Sequence, residues 1–186
     1  MKNATHQRQI RTDSVPVFSP PRIKGIDLPF VMDCHEASTH KERWGERLVI
    51  IGGGANGLKF ALEQSLIKGA HSVIIEVTDT LASKVLKDFR VYAKQLFDKT
   101  GLIETLTETR CTDITPGGVN IESTDGSKRF ITCDSVIYCG GLGAPSSNEL
   151  EAYFKCTPQT YIIGDCRMPR MIKDAVVEGY NIAQNI

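Results

Sequence analysis

Short runs of apolar, β-branched residues alternate with segments of helical periodicity along most of the chain. Leu48–Ile51 and Ser72–Val77 are apolar runs of the kind that forms buried parallel strands. The segment between them has one apolar helical face, made of Leu58, Leu62 and Leu66. Gly69 can end that helix just after Lys68. The alternation predicts an α/β fold with a parallel sheet.

Helical spacing returns after the second strand and then gives way to shorter strands. The helical positions are Leu81, Val85, Phe89, Tyr92 and Leu96, and Gly101 can stop the helix. We expect its aromatic residues, Phe89, Tyr92 and Phe97, to lie in the core. Val119–Ser123 and Phe130–Cys133 flank Asp125–Gly126, a pair typical of a β-hairpin. Ser135–Cys139 predicts a further strand, which ends at Gly140 and Gly141.

The segments before the first strand have little periodicity. Residues 1–19 are polar and basic, and we expect them to be irregular. The following FSPPRIKGIDLPFV carries three prolines and is expected to be extended or looped. Asp33–Glu46 is polar, with a short helix predicted near Glu36, and connects into the strand at Leu48.

A strand–helix unit closes the chain. Tyr161–Ile163 predicts a strand that ends in Gly164–Asp165. A helix is expected from about Met171, with one face formed by Ile172, Ala175, Val176, Gly179 and Ala183. Asp165 could accept a hydrogen bond from a ligand hydroxyl or cap the helix, and capping is the simpler prediction.

The turn after the first long strand contains the candidate binding residues. Gly52, Gly54 and Gly57 have G-x-G-x-x-G spacing between a strand and a helix, the context that a dinucleotide site requires. The first glycine allows a tight turn, the second lets a pyrophosphate approach the backbone, and the third lets helix and strand pack closely. The candidate pyrophosphate site comprises Gly52, Gly53, Gly54, Ala55, Asn56 and Gly57.

Glu76 follows near the end of the second strand, where its carboxylate can accept hydrogen bonds from both hydroxyls of an adenosine ribose. It would repel a 2′-phosphate, and no Arg or Lys follows before Lys84. The pattern therefore favours NAD over NADP. Two alternatives are a glycine turn that serves only packing and a methyltransferase-type Rossmann domain. Gly140 and Gly141 could admit a cofactor closely or simply form a turn.

Composition narrows the range of functions. The 186 residues fit one domain of ordinary size, or one domain with fragments of another. Basic and acidic residues number 22 each, so neither nucleic acid nor an anionic membrane is indicated as a partner. No apolar run approaches the roughly 18 residues that a membrane helix needs. The N-terminus lacks a secretory signal's apolar core, and we expect a cytoplasmic protein.

The six cysteines contain no C-x-x-C pair, which argues against a redox dithiol of the thioredoxin reductase type and against iron–sulfur or zinc-ribbon sites. We expect them to be free thiols in a reducing compartment. Cys34, His35 and His40 could be imagined as metal ligands, but no second ligand pair accompanies them. We therefore predict no metal site.

Three segments of the chain resemble one group of flavoproteins. TYIIGDCRMPRMIKDAVVEGYNIA is similar to the closing FAD motif of flavoproteins with two dinucleotide-binding domains. PRIKGID resembles the segment that leads from the FAD domain into the nucleotide domain, and CDSVIYCGGLGAPSSNEL resembles the return segment. The group comprises relatives of 2,4-dienoyl-CoA reductase, 2-enoate reductase and trimethylamine dehydrogenase, within the pyridine nucleotide-disulfide oxidoreductases.

The resemblance implies a Rossmann-like, three-layer dinucleotide-binding domain with a β-hairpin or meander, flanked by remnants of a second, FAD-binding domain. We expect three segments: an N-terminal lead-in and connector at residues 1–45, an NAD(H)-binding domain at 46–143 and an FAD-domain segment at 144–186. It further implies that Asp165, beside Gly164, binds the FAD ribitol. The helix start around Ile172 and Ala175 would then lie near the flavin or its phosphates. Gly52, Gly54, Gly57 and Glu76 would bind NADH.

By resemblance we expect an FAD-dependent NADH:flavin oxidoreductase that passes hydride from NADH to a flavin for reduction of an enoate-like or enoyl-CoA-like substrate. The implied partner is an FMN and iron–sulfur barrel domain or subunit, or a second copy of the chain. The family's first FAD fingerprint has no counterpart here, so FAD binding is expected to need a missing domain or partner. The alternative is a non-catalytic ADP- or NAD-binding module, or a truncated fragment acting in partner assembly. No catalytic residue is predicted, because the cofactors carry the chemistry.

Overall fold

The computed structural model describes residues 17–18, 20–140, 142–144, 151, 154–155 and 160–185. The chain forms two compact units, one of Phe18–Gly141 and one of Met1–Val17 with Leu142–Ile186. Two strands of two residues each, β1 (Val17–Phe18) and β10 (Leu142–Gly143), form a small sheet of their own. The larger unit is considered first.

A five-stranded parallel sheet forms the centre of the larger unit. Its strands are β2 (Val31–Asp33), β3 (Arg47–Ile51), β4 (His71–Ile75), β5 (Ile103–Leu106) and β9 (Ser135–Tyr138). They lie in the order β2–β9–β3–β4–β5. Ile51 pairs with both Ile75 and Tyr138, so the three central strands end level with one another. The chain leaves β3 toward β4 on one side while β9 lies on the other, and ligands bind beyond the strand ends at such a switch point.

Helices cover one face of this sheet. They are α1 (Cys34–Thr39), α2 (Ala55–Lys68) and α3 (Lys87–Thr100). Alternate strand residues pack against them in one buried cluster, including Leu48, Ile50, Ile74 and Ile137 from the sheet and Leu58, Ala61, Ala93 and Phe97 from the helices. This alternation is the consequence of the two-residue period of a strand.

A three-stranded antiparallel sheet covers the other face. It consists of β6 (Thr109–Thr115), β7 (Gly118–Ser123) and β8 (Lys128–Thr132). Val49, Ile75 and Val136 point to this side and share a second buried cluster with the inner residues of the meander. Helices, parallel sheet and meander together form the predicted three-layer, Rossmann-like domain, and the hairpin around Asp125–Gly126 joins β7 to β8 as expected.

The first helix and the first strand of the sheet differ from the sequence prediction. Helix α1 begins at Cys34 rather than near Glu36, because the Asp33 carboxylate accepts hydrogen bonds from the backbone of His35 and Glu36 at 2.8 and 2.7 Å. The segment ending at Val31 was expected to be extended or looped, and Asp33 to begin a connector; Val31–Asp33 is extended and pairs with β9 as strand β2. Three residues are too few to show a strand period in the sequence.

Two predicted helical faces also differ. Leu66, expected to be on the apolar face of α2, is 61% exposed, because the buried residues of that helix centre on Ala61 and Ser65, on its other side. Phe97 is buried as predicted, but Phe89 and Tyr92 are exposed. Helix α3 packs beside β5, an edge strand, and it buries only Ala93 and Phe97. The turns holding Leu81 and Val85 precede α3 rather than belonging to it.

The smaller unit contains a 3₁₀ turn, Gly164–Cys166, and helix α4 (Ile172–Ala183). The helix begins where the sequence predicts. The strand expected at Tyr161–Ile163 is not formed in the described residues, although Ile163 is extended at φ −135° and ψ 165°. An extended segment becomes a strand only when a neighbouring strand pairs with it, and none does so within the described part of this unit.

Candidate functional site

Three glycines of the turn between β3 and α2 are required by the turn itself. Gly52 has φ +107°, a backbone region that side chains rarely adopt. A Cβ on Gly57 would lie 2.0 Å from the carbonyl oxygen of Gly52, so no side chain fits where the helix meets the strand. A Cβ on Gly53 would lie 2.9 Å from Cβ of Glu76, which cannot move without its backbone, and 2.4 Å from Cδ2 of Leu81. These contacts explain the tight turn without any ligand.

Gly54 is different. It lies at the N-cap of α2 with φ −71° and ψ −174°, a conformation open to every residue type. A Cβ at this position would meet no atom within 4 Å. The next two residues, Ala55 and Asn56, are exposed. Neither strain nor crowding requires glycine here, so the position offers open space directly at the start of a helix.

The start of α2 suits an anion. The first N–H groups of a helix have no partner within the helix, and the helix dipole makes this end positive. The first turn of α2 contains no acidic residue. A phosphate group in the space beside Gly54 would therefore find backbone donors and no opposing charge from that turn.

Glu76 lies directly after β4 and reaches back to the glycine turn. Its Oε2 atom accepts a hydrogen bond from the N–H of Gly53 at 2.7 Å. Its Oε1 atom accepts from the N–H of Thr78 at 2.9 Å and lies 3.0 Å from the Thr78 hydroxyl. The half-buried carboxylate is thus fixed beside the turn, at the edge where a ribose would follow a pyrophosphate.

Gly140 lies on the other side of the turn, directly after β9. Its nitrogen is 3.2 Å from the position that a Cβ on Gly52 would occupy. Gly140 is exposed, and a Cβ on it would meet nothing within 4 Å. Of the two alternatives raised by the sequence, close approach of a ligand is compatible with this open space. The companion residue Gly141 lies outside the described residues.

Two buried thiols lie beneath this edge. Cys34 and Cys139 directly follow residues that pair in β2 and β9. A hydrogen bond from Cys139 lowers the pKa of the Cys34 thiol, and the same interaction together with burial raises the pKa of Cys139. All five cysteines that the structure describes are free, as the sequence predicts.

The candidate residues of the smaller unit form a separate group. Gly164 has φ +60°, and its N–H donates to Oε2 of Glu178 at 2.7 Å. A Cβ on Gly164 would be 3.1 Å from Cβ of Ala175, so these two predicted residues lie together. Ile172, in contrast, is 86% exposed.

Asp165 does not cap α4, which corrects the simpler of the two predictions for it. Its Oδ1 atom accepts from the N–H of Arg170 at 3.3 Å, ahead of the helix. The capping contact is made instead by Asp174, whose carboxylate accepts from the N–H of Met171 at 3.1 Å. Asp174 lies three residues after the N-cap, the position from which a side chain can reach back.

Three functional candidates were missed by the sequence analysis. Thr78 holds Glu76, and Leu81 closes the turn over Gly53. Glu178 accepts hydrogen bonds from Gly164, Arg167 and Arg170, and the hydrogen bond from the Gly164 backbone is the first cause of its lowered pKa. Only Glu178 gave a signal, because it belongs to the closing motif.

The described part of the chain contains neither a metal-binding cluster nor a membrane-spanning helix. No three His, Cys, Asp or Glu side chains there could jointly hold a metal ion. No helix among the described residues is long and apolar enough to cross a membrane.

The sequence matches the model of one protein family. Residues 17–177 match the pyridine nucleotide-disulphide oxidoreductase model. The bilirubin reductase of Mediterraneibacter gnavus (strain CC55_001C) is 31% identical over 167 residues, which are 89% of this chain and 25% of that protein. The chain therefore spans about a quarter of the length of this relative.

Solved structures resemble the fold over similar portions. A 2-naphthoyl-CoA reductase in complex with 2-naphthoyl-CoA has a TM-score of 0.78 and 25% identity, with 91% of this chain and 26% of that chain covered. Histamine dehydrogenase from Rhizobium sp. 4-9 has a TM-score of 0.72 at 19% identity, with 86% and 26% covered. Thioredoxin reductase of T. acidophilum has a TM-score of 0.59 at 22% identity, with 70% and 43% covered.

Proposed function

Because the chain belongs to the pyridine nucleotide-disulphide oxidoreductase family, we propose that its larger unit binds NADH at the carboxyl edge of the parallel sheet. The main support for the proposal is the open space beside Gly54. The three neighbouring glycines are needed by the turn, whereas a Cβ on Gly54 would enter only open space at the start of α2. A bound pyrophosphate supplies the reason for glycine there.

The coenzyme's adenosine ribose is proposed to lie beside Glu76. A fixed carboxylate accepts hydrogen bonds from ribose hydroxyls and repels a 2′-phosphate. Gly140, and with it Gly141, would allow the coenzyme to pass close to the backbone after β9. Gly52, Gly53, Ala55, Asn56 and Gly57 complete the proposed site. The dinucleotide-binding domain is proposed to comprise residues 46–143, to whose sheet β2 adds an edge strand.

The smaller unit is proposed to complete an FAD site with a domain or subunit outside this chain. Gly164, Asp165, Ile172 and Ala175 are its proposed flavin-binding residues. Apolar side chains of α4 support a partner, since Ile172, Val176, Val177 and Tyr180 are exposed in this chain. Its relative and two of its structural neighbours extend well beyond the matched portion, which is about a quarter of each, so they contain further protein to cover such a face.

The whole assembly is proposed to be an NADH:flavin oxidoreductase for an unsaturated substrate of the enoate or enoyl-CoA class. Bound NADH would supply a hydride and the flavin would accept it. The chain's own contribution is to bind and orient: α2 holds the pyrophosphate, Glu76 holds the ribose, and α4 meets the flavin side. The bilirubin and 2-naphthoyl-CoA reductases among its relatives support reduction as the reaction class.

A non-catalytic ADP- or NAD-binding module is the second candidate. It is favoured by one observation, namely that the glycine turn and Glu76 are complete within the larger unit, whereas the proposed flavin residues lie on a unit with exposed apolar side chains. Such a module would bind ADP and contain no flavin after purification.

The test is calorimetric titration of the purified chain with NADH, NADPH and FAD. We expect NADH to bind at least tenfold more tightly than NADPH, a difference of about 1.4 kcal/mol. No binding of either nicotinamide coenzyme would reject the proposal. Binding of NADH with no NADH oxidation, at any supply of flavin and acceptor, would favour the non-catalytic module.

A further inference from the structure

The hydrogen bonds around Glu76 raise the question of how it could hold a ribose. A carboxylate has about four positions that can accept hydrogen bonds. In this structure one is used by the N–H of Gly53, one by the N–H of Thr78 and a third by the Thr78 hydroxyl. About one remains, whereas the diol of a ribose brings two hydroxyls.

The Thr78 hydroxyl can resolve this mismatch. Its Oγ1 atom lies 3.0 Å from Oε1 of Glu76 and also 3.0 Å from the carbonyl oxygen of Thr80. The hydroxyl has a single hydrogen, so it donates to one of these acceptors at a time, and its oxygen retains lone pairs that can accept. Thr78 is exposed, which leaves that oxygen open to a ligand.

We propose that Thr78 binds the second hydroxyl of the adenosine ribose. The Glu76 carboxylate accepts from one ribose hydroxyl, and Oγ1 of Thr78 accepts from the other while donating its own hydrogen to the carbonyl of Thr80. The inference rests on the proposed NADH site and adds to it a residue that binds the ribose of the coenzyme.

The chain offers a matched pair of variants. Thr78→Val removes the hydroxyl and keeps both the β-branched shape and the backbone N–H that donates to Glu76. Thr80→Val makes the same change two residues later, where only the backbone carbonyl takes part in the network. Thermal unfolding of both variants checks that the fold is intact.

The experiment is calorimetric titration of wild type and both variants with ADP, 2′-deoxy-ADP and 3′-deoxy-ADP. ADP carries the ribose and no hydride, so the measurement is independent of activity. In wild type the analogue that lacks the hydroxyl bound by Thr78 should bind about threefold to tenfold more weakly than ADP, the range expected for one neutral hydrogen bond, and the analogue that lacks the hydroxyl bound by Glu76 should lose at least about tenfold, because its acceptor is charged. Thr78→Val should weaken ADP binding by the smaller of these factors, and one of the two deoxy analogues should then bind it as well as ADP does.

Two results would overturn the inference while leaving the proposed function intact. One is ADP affinity in Thr78→Val equal to that of Thr80→Val and wild type. The other is a Thr78→Val variant in which both deoxy analogues still lose their full factor. If wild type binds neither ADP nor NADH, the proposed function fails, and the inference fails with it.

Discussion

At the scale of single residues, the four glycines of the turn after β3 have two different origins. Gly52 is fixed by its backbone conformation, Gly57 by its contact with Gly52, and Gly53 by contacts with Glu76 and Leu81. Gly54 is free of both constraints. Our account attributes Gly54 to a ligand, and this separation of roles makes the motif open to tests by substitution.

The cysteines give a prediction about pH. Burial raises the pKa of Cys111 to about 11. Because the thiolate is the reactive form, the alkylation rate of this half-buried thiol should rise roughly tenfold per pH unit through pH 10. Mass spectrometry of iodoacetamide-treated native protein measures the rate. A Cys111 rate that levels off near pH 9 would contradict the assignment.

The same burial affects stability. A thiol whose pKa is raised in the folded state binds its proton more tightly there than in the unfolded chain. The contribution of Cys111 to the free energy of unfolding is therefore fully present below about pH 9, the ordinary pKa of a thiol. It is lost as the pH rises toward 11.

Residue spacing predicted the glycine turn and Glu76, but not the contacts that hold them. Thr78 and Leu81 reach the turn through the path of the loop after β4, and no local pattern encodes that path. Asp165 was expected to cap α4 because it precedes the helix, yet Asp174 lies in the better position within the first turn.

At the scale of elements, the central strands β3 and β4 were predicted well from the sequence. Elements at the edges of the sheet were not. The runs that form β3 and β4 are apolar because both faces of these strands are covered. Strand β2 and helix α3 lie at or beside the edges of the sheet, where fewer residues are buried. Their sequence signals are correspondingly weak or misleading.

Helix α2 offers a direct test of which face is buried. Leu58 is 3% exposed and contacts the core, whereas Leu66 is 61% exposed. Leu58→Ala should lower the free energy of unfolding by about 2–5 kcal/mol. Leu66→Ala, the same change in the same helix, should alter it by no more than about 0.5 kcal/mol. Urea unfolding measures both, and equal losses would show that the helix is rotated from the orientation described.

At the scale of the whole molecule, the two units differ in how complete they are. The larger unit has two buried clusters and a continuous five-stranded sheet. Helix α4 of the smaller unit has no buried residue. The chain covers about a quarter of the length of its relative and of two structural neighbours, and it carries the proposed coenzyme site whole and the proposed flavin site in part.

Gly54 provides the most direct test of the central claim that a coenzyme pyrophosphate binds at the start of α2. Gly54→Ala and Gly54→Val should remain folded with the melting temperature lowered only slightly, because a Cβ at this position meets no atom within 4 Å and the poorer N-cap costs about 1 kcal/mol. NADH affinity, measured by calorimetry, should fall progressively with side-chain size, by at least tenfold for Gly54→Val, or about 1.4 kcal/mol. A folded Gly54→Val variant that binds NADH as tightly as wild type would contradict the claim.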